Sequence, residues 1–342
     1  MKIIMNRLIL LLSALLLVSA CSRSAPETQS RELVVYSARA EHLIQPLFER
    51  YQQETGVTVR YLSDSEASLI ERLKAEGAQS PADILLTVDA GNLWYAAEQG
   101  VLRPMQSEVL ATNIPAALRD PQMRWVGLSV RARTLVYSTE RVQPSALSTY
   151  EALADDTWKG RLCLRSAKKV YNQSLVATLI AGLGEPATEA VVQGWVRNLA
   201  TPPFANDTAV IEAIVAGRCD VGLVNTYYFG RMLKGTPDLP VALFWANQGE
   251  GERGLHVNVS GAGVTTASKQ PEAAQALLEW LSQGEAQALF AGSNLEFPAN
   301  PKVPADPLVA AWGDYRGDDL NVSEAGRLQV RAVRLMDRAG YE

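Results

Sequence analysis

Two rhythms of hydrophobic residues alternate along this chain. "ELVVYSA", starting at Glu32, is an aliphatic run with polar neighbours, which predicts a buried strand. Leu43, Ile44, Leu47, Phe48 and Tyr51 then recur at helical spacing until Gly56, a stop signal. "VTVRYL" predicts the next strand, Leu69, Ile70 and Leu73 the next helix, and Gly77 its end. "ADILLT" predicts a third strand, followed by a short helix around Leu93 to Gln99. Strands and helices in alternation imply an α/β sheet, because a parallel neighbour is reached by crossing over one face.

The middle of the chain repeats the pattern. "SVRARTLVYS" predicts a long strand, and Ser148 with Glu151 has the capping-box spacing that opens a helix. "GRLCLR" and "CDVGLVN" predict strands. Ser174 to Ala181, Ala187 to Leu199 and "DTAVIEAIVAG" predict helices, the last stopped by Gly217. "VNVSGAGVTT" predicts a return strand, and a helix opening near Pro271 carries Ala274, Leu277, Leu278 and Leu281 on one face. Two long strands, near Val126 to Tyr137 and His256 to Val264, suit a link between two sheets and hence two α/β lobes. Ligands of such sheets bind outside the carboxyl ends of strands, and hinge closure buries them.

The N-terminus follows another logic. Lys2 and Arg7 precede an apolar run, Leu8 to Val18, which leads to "VSAC". This is the layout of a secretory signal, and the run is short for a membrane span. "VSAC" looks like a bacterial lipobox, with Cys21 acylated at the mature N-terminus; a plain cleaved signal is the other reading. Ser22 to Ser30 is polar and turn-rich, as in a tether. Export implies an oxidising compartment, so Cys163 and Cys219 are either a disulfide or two buried thiols.

Composition narrows the function. The 342 residues are 47% hydrophobic and 20% charged, enough for two lobes with separate cores. The net charge of -5 carries no basic footprint for nucleic acid. With only His42 and His256, and with no GxSxG, GxxxxGK[ST], HExxH or CxxC pattern, a hydrolase or transferase has little support.

Tyr227 and Tyr228 follow "CDVGLVN", at the carboxyl end of a strand. Neighbours along a strand point to opposite faces, so two phenols converge only if the chain leaves the strand there. Tyr171 stands at a similar place after "GRLCLR". A phenol titrates near 10, so its proton yields only to a strongly Lewis-acidic cation, whereas calcium recruits carboxylates and carbonyls. Several phenols with almost no histidine point to ferric iron. On spacing alone, aromatic packing or a sugar-stacking platform is the commoner use of "YY".

From "LVVYSARAEHLIQPLFERYQQETGVTV" through "SPADILLTVDAGNLWYAAEQGVL", "WVGLSVRARTLVYST", "VYNQSLVATLI" and "CDVGLVNTYYFGRM" to "LEFPANP", the chain resembles the periplasmic ferric-ion-binding proteins of bacterial iron ABC transporters. The resemblance implies a type II periplasmic-binding-protein fold, a monomer, and delivery of Fe3+ to an inner-membrane permease with its ATPase. It implies lobes of residues 32–131 plus 258–308 and 132–257 plus 309–342, after a signal (1–20) and tether (21–31). It makes Tyr171, Tyr227 and Tyr228 the metal ligands. Arg39 in "YSAR" and Arg131 in "SVRAR" match positions that hold a synergistic anion, carbonate or another, and a guanidinium fork suits such an oxyanion. Asn225 matches a position beside the site. Where many relatives carry a ligand histidine and then a tyrosine, this chain has Ala40 and Glu41; Glu41 or Asp89 is a candidate substitute, and Asp89 equally suits a helix cap. A polyamine, thiamine or organic anion in the same fold is the alternative solute.

Overall fold

The computed structural model describes residues 32–342; the signal, lipobox (Cys21) and tether readings lie outside them. The chain runs β1 (Glu32–Ser37), α1 (Glu41–Thr55), β2 (Thr58–Ser63), α2 (Glu66–Glu76), β3 (Ile84–Val88), α3 (Ala90–Glu98), α4 (Glu108–Asn113) and β4 (Val126–Ser138). It continues with β5 (Leu162–Cys163), α5 (Val170–Leu183), α6 (Glu185–Asn198), α7 (Asp207–Val215), β6 (Val221–Asn225), α8 (Thr226–Gly235) and β7 (Val241–Phe244). It ends with β8 (Val257–Val264), α9 (Pro271–Leu281), α10 (Gly284–Gly292), β9 (Phe297–Pro298), α11 (Pro307–Ala310) and α12 (Ser323–Arg338).

The strand order is β2-β1-β3-β8-β4-β6-β5, with β7 and β9 also paired to β4. β1 is parallel to β2 and β3, as the alternating pattern requires. β4 joins two sheet regions: its first half pairs with β8, and Arg133 to Tyr137 pairs with β6. β8 pairs with β3 and β4 and stops short of the second region, so the ladder continues through β4. Just before β8, the His256 carbonyl accepts the Arg133 N–H.

Both faces of the first region are covered. Leu33, Val35, Ile84 and Leu86 pack on Ile44, Phe48, Leu277 and Phe290, while Tyr36 and Leu85 face Leu69, Leu73 and Leu93. A strand buried on both sides reads as a continuous apolar run, which is why β1 and β3 were visible in sequence. In the second region Leu135, Leu162 and Leu223 pack on α5 and α6, and Val136, Val210 and Ile214 lie in a separate cluster. Cys163 in β5 and Cys219 ahead of β6 form a disulfide within that cluster.

Two local expectations give way. No helix opens at Ser148; Glu151–Ala154 is a single 3₁₀ turn with no side-chain cap from its preceding residue. Thr149 accepts the Ala152 N–H instead, and Glu151 is drawn to Asn247 and Arg253. "GRLCLR" yields only two strand residues, since beyond Cys163 the backbone leaves β6 and bridges to Phe204 instead. The amphipathic α12 packs on α3 and α5: Gly326 lies against Trp94, and Gln329 Nε2 donates to Gln173 Oε1 at 3.1 Å.

Candidate functional site

β6 ends at Asn225 and α8 begins one residue later. Tyr227 and Tyr228 therefore stand in a first helical turn, where neighbours are about 100° apart rather than 180°, as the period of 3.6 requires. Their ring centres are 4.6 Å apart with a 31° tilt. Tyr171 stands in the first turn of α5. Helix N-termini carry positive partial charge, which favours an anionic oxygen nearby. Tyr227 and Tyr171 are buried, and Tyr228 is half-buried.

Cations surround these rings. Arg131 Nη1 donates to the Tyr171 hydroxyl oxygen at 3.4 Å, and Arg165 Nη1 to that of Tyr228 at 3.4 Å. The Arg131 guanidinium lies 5.2 Å over the Tyr227 ring, and that of Arg231 lies 5.0 and 5.3 Å over Tyr227 and Tyr228. Lys169 Nζ sits 4.9 Å over the Tyr171 ring. Asn225 Nδ2 donates to the Tyr227 hydroxyl oxygen at 3.2 Å, and Asn225 Oδ1 accepts from Arg133. An asparagine at this position ordinarily caps its helix. Here the side chain makes no cap bond and is spent on Tyr227 and Arg133.

Two buried carboxylates hold the arginines. Asp207 accepts from Arg133, Arg165 and the Asn225 N–H. Glu296 Oε1 accepts from Arg131 Nε at 3.0 Å, and its Oε2 accepts from Arg39 Nη1 at 2.9 Å and from Ser129. Burial alone would raise the Glu296 pKa, but Arg131 and Arg39 overcome it and hold it at about 2. Burial likewise opposes charge on Arg131, yet Glu296 and the Tyr227 and Tyr171 phenols hold its pKa well above the ordinary value. Burial pushes the Tyr227 phenol well above its usual range, and Tyr171 adds to the shift.

The structure thus gathers Tyr171, Tyr227, Tyr228, Arg131 and Asn225. Arg39 is 2% exposed and engaged by Glu296 and by the Phe290 carbonyl, 2.8 Å away. Glu41 is exposed and accepts from the Tyr61 hydroxyl, and none of its bonds reaches a phenol of the site. Asp89 caps α3 through the Gly91 N–H and also takes the Ser174 hydroxyl and Asn258 Nδ2. A cavity of about 10 Å³ is lined by Asp89, Arg131, Arg133, Tyr171, Asn225, His256 and Asn258, room for about one water. Among the described residues, no three His, Cys, Asp or Glu side chains gather as a metal site.

Sequence reading missed Arg165, Lys169, Arg231, Asp207 and Glu296. Arg165 and Lys169 both shortly precede Tyr171, and Arg231 falls one helical turn after the tandem tyrosines, a spacing that puts side chains together. Glu296 carries no such local signal.

Residues 47–317 match the bacterial extracellular solute-binding proteins. The chain belongs to that family. Among the relatives of this solute-binding protein, iron uptake protein A2 of Synechocystis sp. is 46% identical over 320 residues, 92% of this chain and 91% of its own. The solved structure of Trichodesmium IdiA (FutA), in complex with iron and citrate ligands, matches with a TM-score of 0.87 at 43% identity, over 91% of this chain and 100% of that one. Ferric iron-binding protein A of Mannheimia haemolytica, in an open conformation, matches at 0.84 with 33% identity over 91% of this chain and 99% of that one. The solute-binding protein therefore has the type II periplasmic-binding-protein fold, two α/β lobes with the cleft between them.

Proposed function

We propose that this protein captures ferric iron in the periplasm as the binding component of an ABC importer. Three phenolates, from Tyr171, Tyr227 and Tyr228, hold Fe3+, and a synergistic anion, carbonate or another, completes its shell. Acting as a monomer tethered through acylated Cys21, the loaded protein docks on an inner-membrane permease driven by its ATPase, and the iron is released there.

The observation that carries this reading is the set of three phenols in first helical turns, two of them within 3.4 Å of a guanidinium nitrogen. The burial that holds the proton on Tyr227 also keeps the site closed to weak Lewis acids. A trivalent cation displaces such protons, and binding releases them. Three phenolates cancel its charge, and Arg131 and Arg165 stand beside them to answer the charge of the anion. The names of the relatives point to the same cargo. For the anion, Arg131 keeps its assigned role. Arg165 joins it, since its buried Nε has no partner. Arg39, engaged by Glu296, acts by fixing that carboxylate.

Protein loaded with ferric citrate should show a visible phenolate-to-iron charge-transfer band, and Tyr227→Phe should abolish or shift it. A wild-type protein that stays colourless with stoichiometric iron refutes the reading. One observation favours a second solute, an organic anion: Arg165, Arg231 and Lys169 crowd the same rings. Calorimetry with iron-free citrate separates the two, because tight binding without colour supports the anion.

A further inference from the structure

Glu296 stands between the two arginines that were assigned to the anion. It is fully buried and gives each of them one oxygen: Oε1 to Arg131 Nε, Oε2 to Arg39 Nη1. Ser129 and Asn294 donate to the same carboxylate, and Ser260 approaches Oε2 at 3.5 Å. Arg39 is itself fixed by the Phe290 carbonyl and lies 4.3 Å over the Phe290 ring. The carboxylate therefore has several fixed donors and no freedom to turn. Arg131 is held at one end by this carboxylate and, at the other, reaches the Tyr171 oxygen and covers the Tyr227 ring. Phe297, the next residue, pairs with Val130 in β4, so the backbone at Glu296 is anchored beside Arg131.

We propose that Glu296 is a positioning residue for the ferric site, which it serves by aiming Arg131 at the Tyr171 and Tyr227 phenols. This rests on the iron reading above. A guanidinium so placed fixes the Tyr171 hydroxyl by a hydrogen bond and covers the Tyr227 ring, as an outer partner orients a metal ligand. Without the carboxylate, Arg131 would swing toward solvent, and the two phenols would lose the guanidinium that lies against them. Partners that orient a metal ligand commonly contribute a 10- to 100-fold share of affinity.

The test is Glu296→Asp, which keeps the charge in the core but shortens the arm by one methylene, so that it no longer spans both guanidiniums. Iron affinity, measured by competition with citrate, should fall roughly 10- to 100-fold. The charge-transfer band should move to longer wavelength, because a phenolate stripped of its cation gives up its electron more easily. A purely structural role would lower the melting temperature of the iron-free protein and leave the band of the loaded protein in place. Ser129→Ala, which removes one donor to Oε2 and spares the ion pairs, should shift the band the same way by less, and it stands in if Glu296→Asp fails to fold. Wild-type band positions in every variant that folds would overturn the proposal. Absence of any band in the wild type would instead sink the iron reading itself.

Discussion

Acidification of the iron-free protein should expose a buried neutral imidazole. His256 is 4% exposed, with Nδ1 at 3.0 Å from the Thr178 hydroxyl. Burial, with Arg133 and Arg253 adding repulsion, lowers its pKa from 6.5 to about 3. The folded value lies below the unfolded one, so the stabilisation is fully present above pH 6.5 and is lost as pH falls toward 3. At pH 5 the unfolded imidazole is 1.5 units below its own pKa while the folded one is still neutral, which amounts to about 2 kcal/mol. Asp89 lines the same cavity, and burial raises its pKa, so its contribution changes in the opposite sense. His256→Gln leaves that contribution in place. Urea unfolding of both proteins at pH 7 and pH 5 isolates the histidine: the wild type should lose about 2 kcal/mol more than the variant between the two conditions. Equal losses in the two proteins would show that the imidazole is not the source.

The disulfide closes a 56-residue separation, for which chain entropy gives about 4 kcal/mol. Cys163→Ser with Cys219→Ser should lower unfolding stability by about that amount, and reductant should bring the wild type down to the same level. Gly326→Ala adds a methyl that would ordinarily favour a helix by about 1 kcal/mol. Its Cβ would meet Trp94 Cβ at 2.5 Å, so α12 must shift off α3. The variant should melt below the wild type by about 1–3 kcal/mol, the usual range for overpacking, and a gain in stability would contradict the close packing.

Much of this protein is written locally. β1, β3 and α1 announce themselves because a strand covered on both faces is uniformly apolar and an amphipathic helix repeats every 3.6 residues. Gly56, at φ 74°, ends α1 through a backbone conformation that glycine adopts freely. The tandem tyrosines after "CDVGLVN" likewise required the chain to leave its strand, and α8 begins there. The Ser148 and Glu151 spacing was equally clear but lost to distant partners, Asn247 and Arg253, which claimed the carboxylate.

What only the tertiary structure decided is who answers each charge. Arg39 follows β1 and Arg131 lies within β4, and neither setting says which carboxylate the arginine meets. Folding brings Glu296 between them from far along the chain, so one is bound into the core and the other is aimed at the phenols. Local pattern records which face of an element is apolar, since that depends on neighbours a few residues away. A buried ion pair depends on chain segments that meet only after the sheet closes around β4, and the energy of leaving either charge unpaired then dictates the geometry.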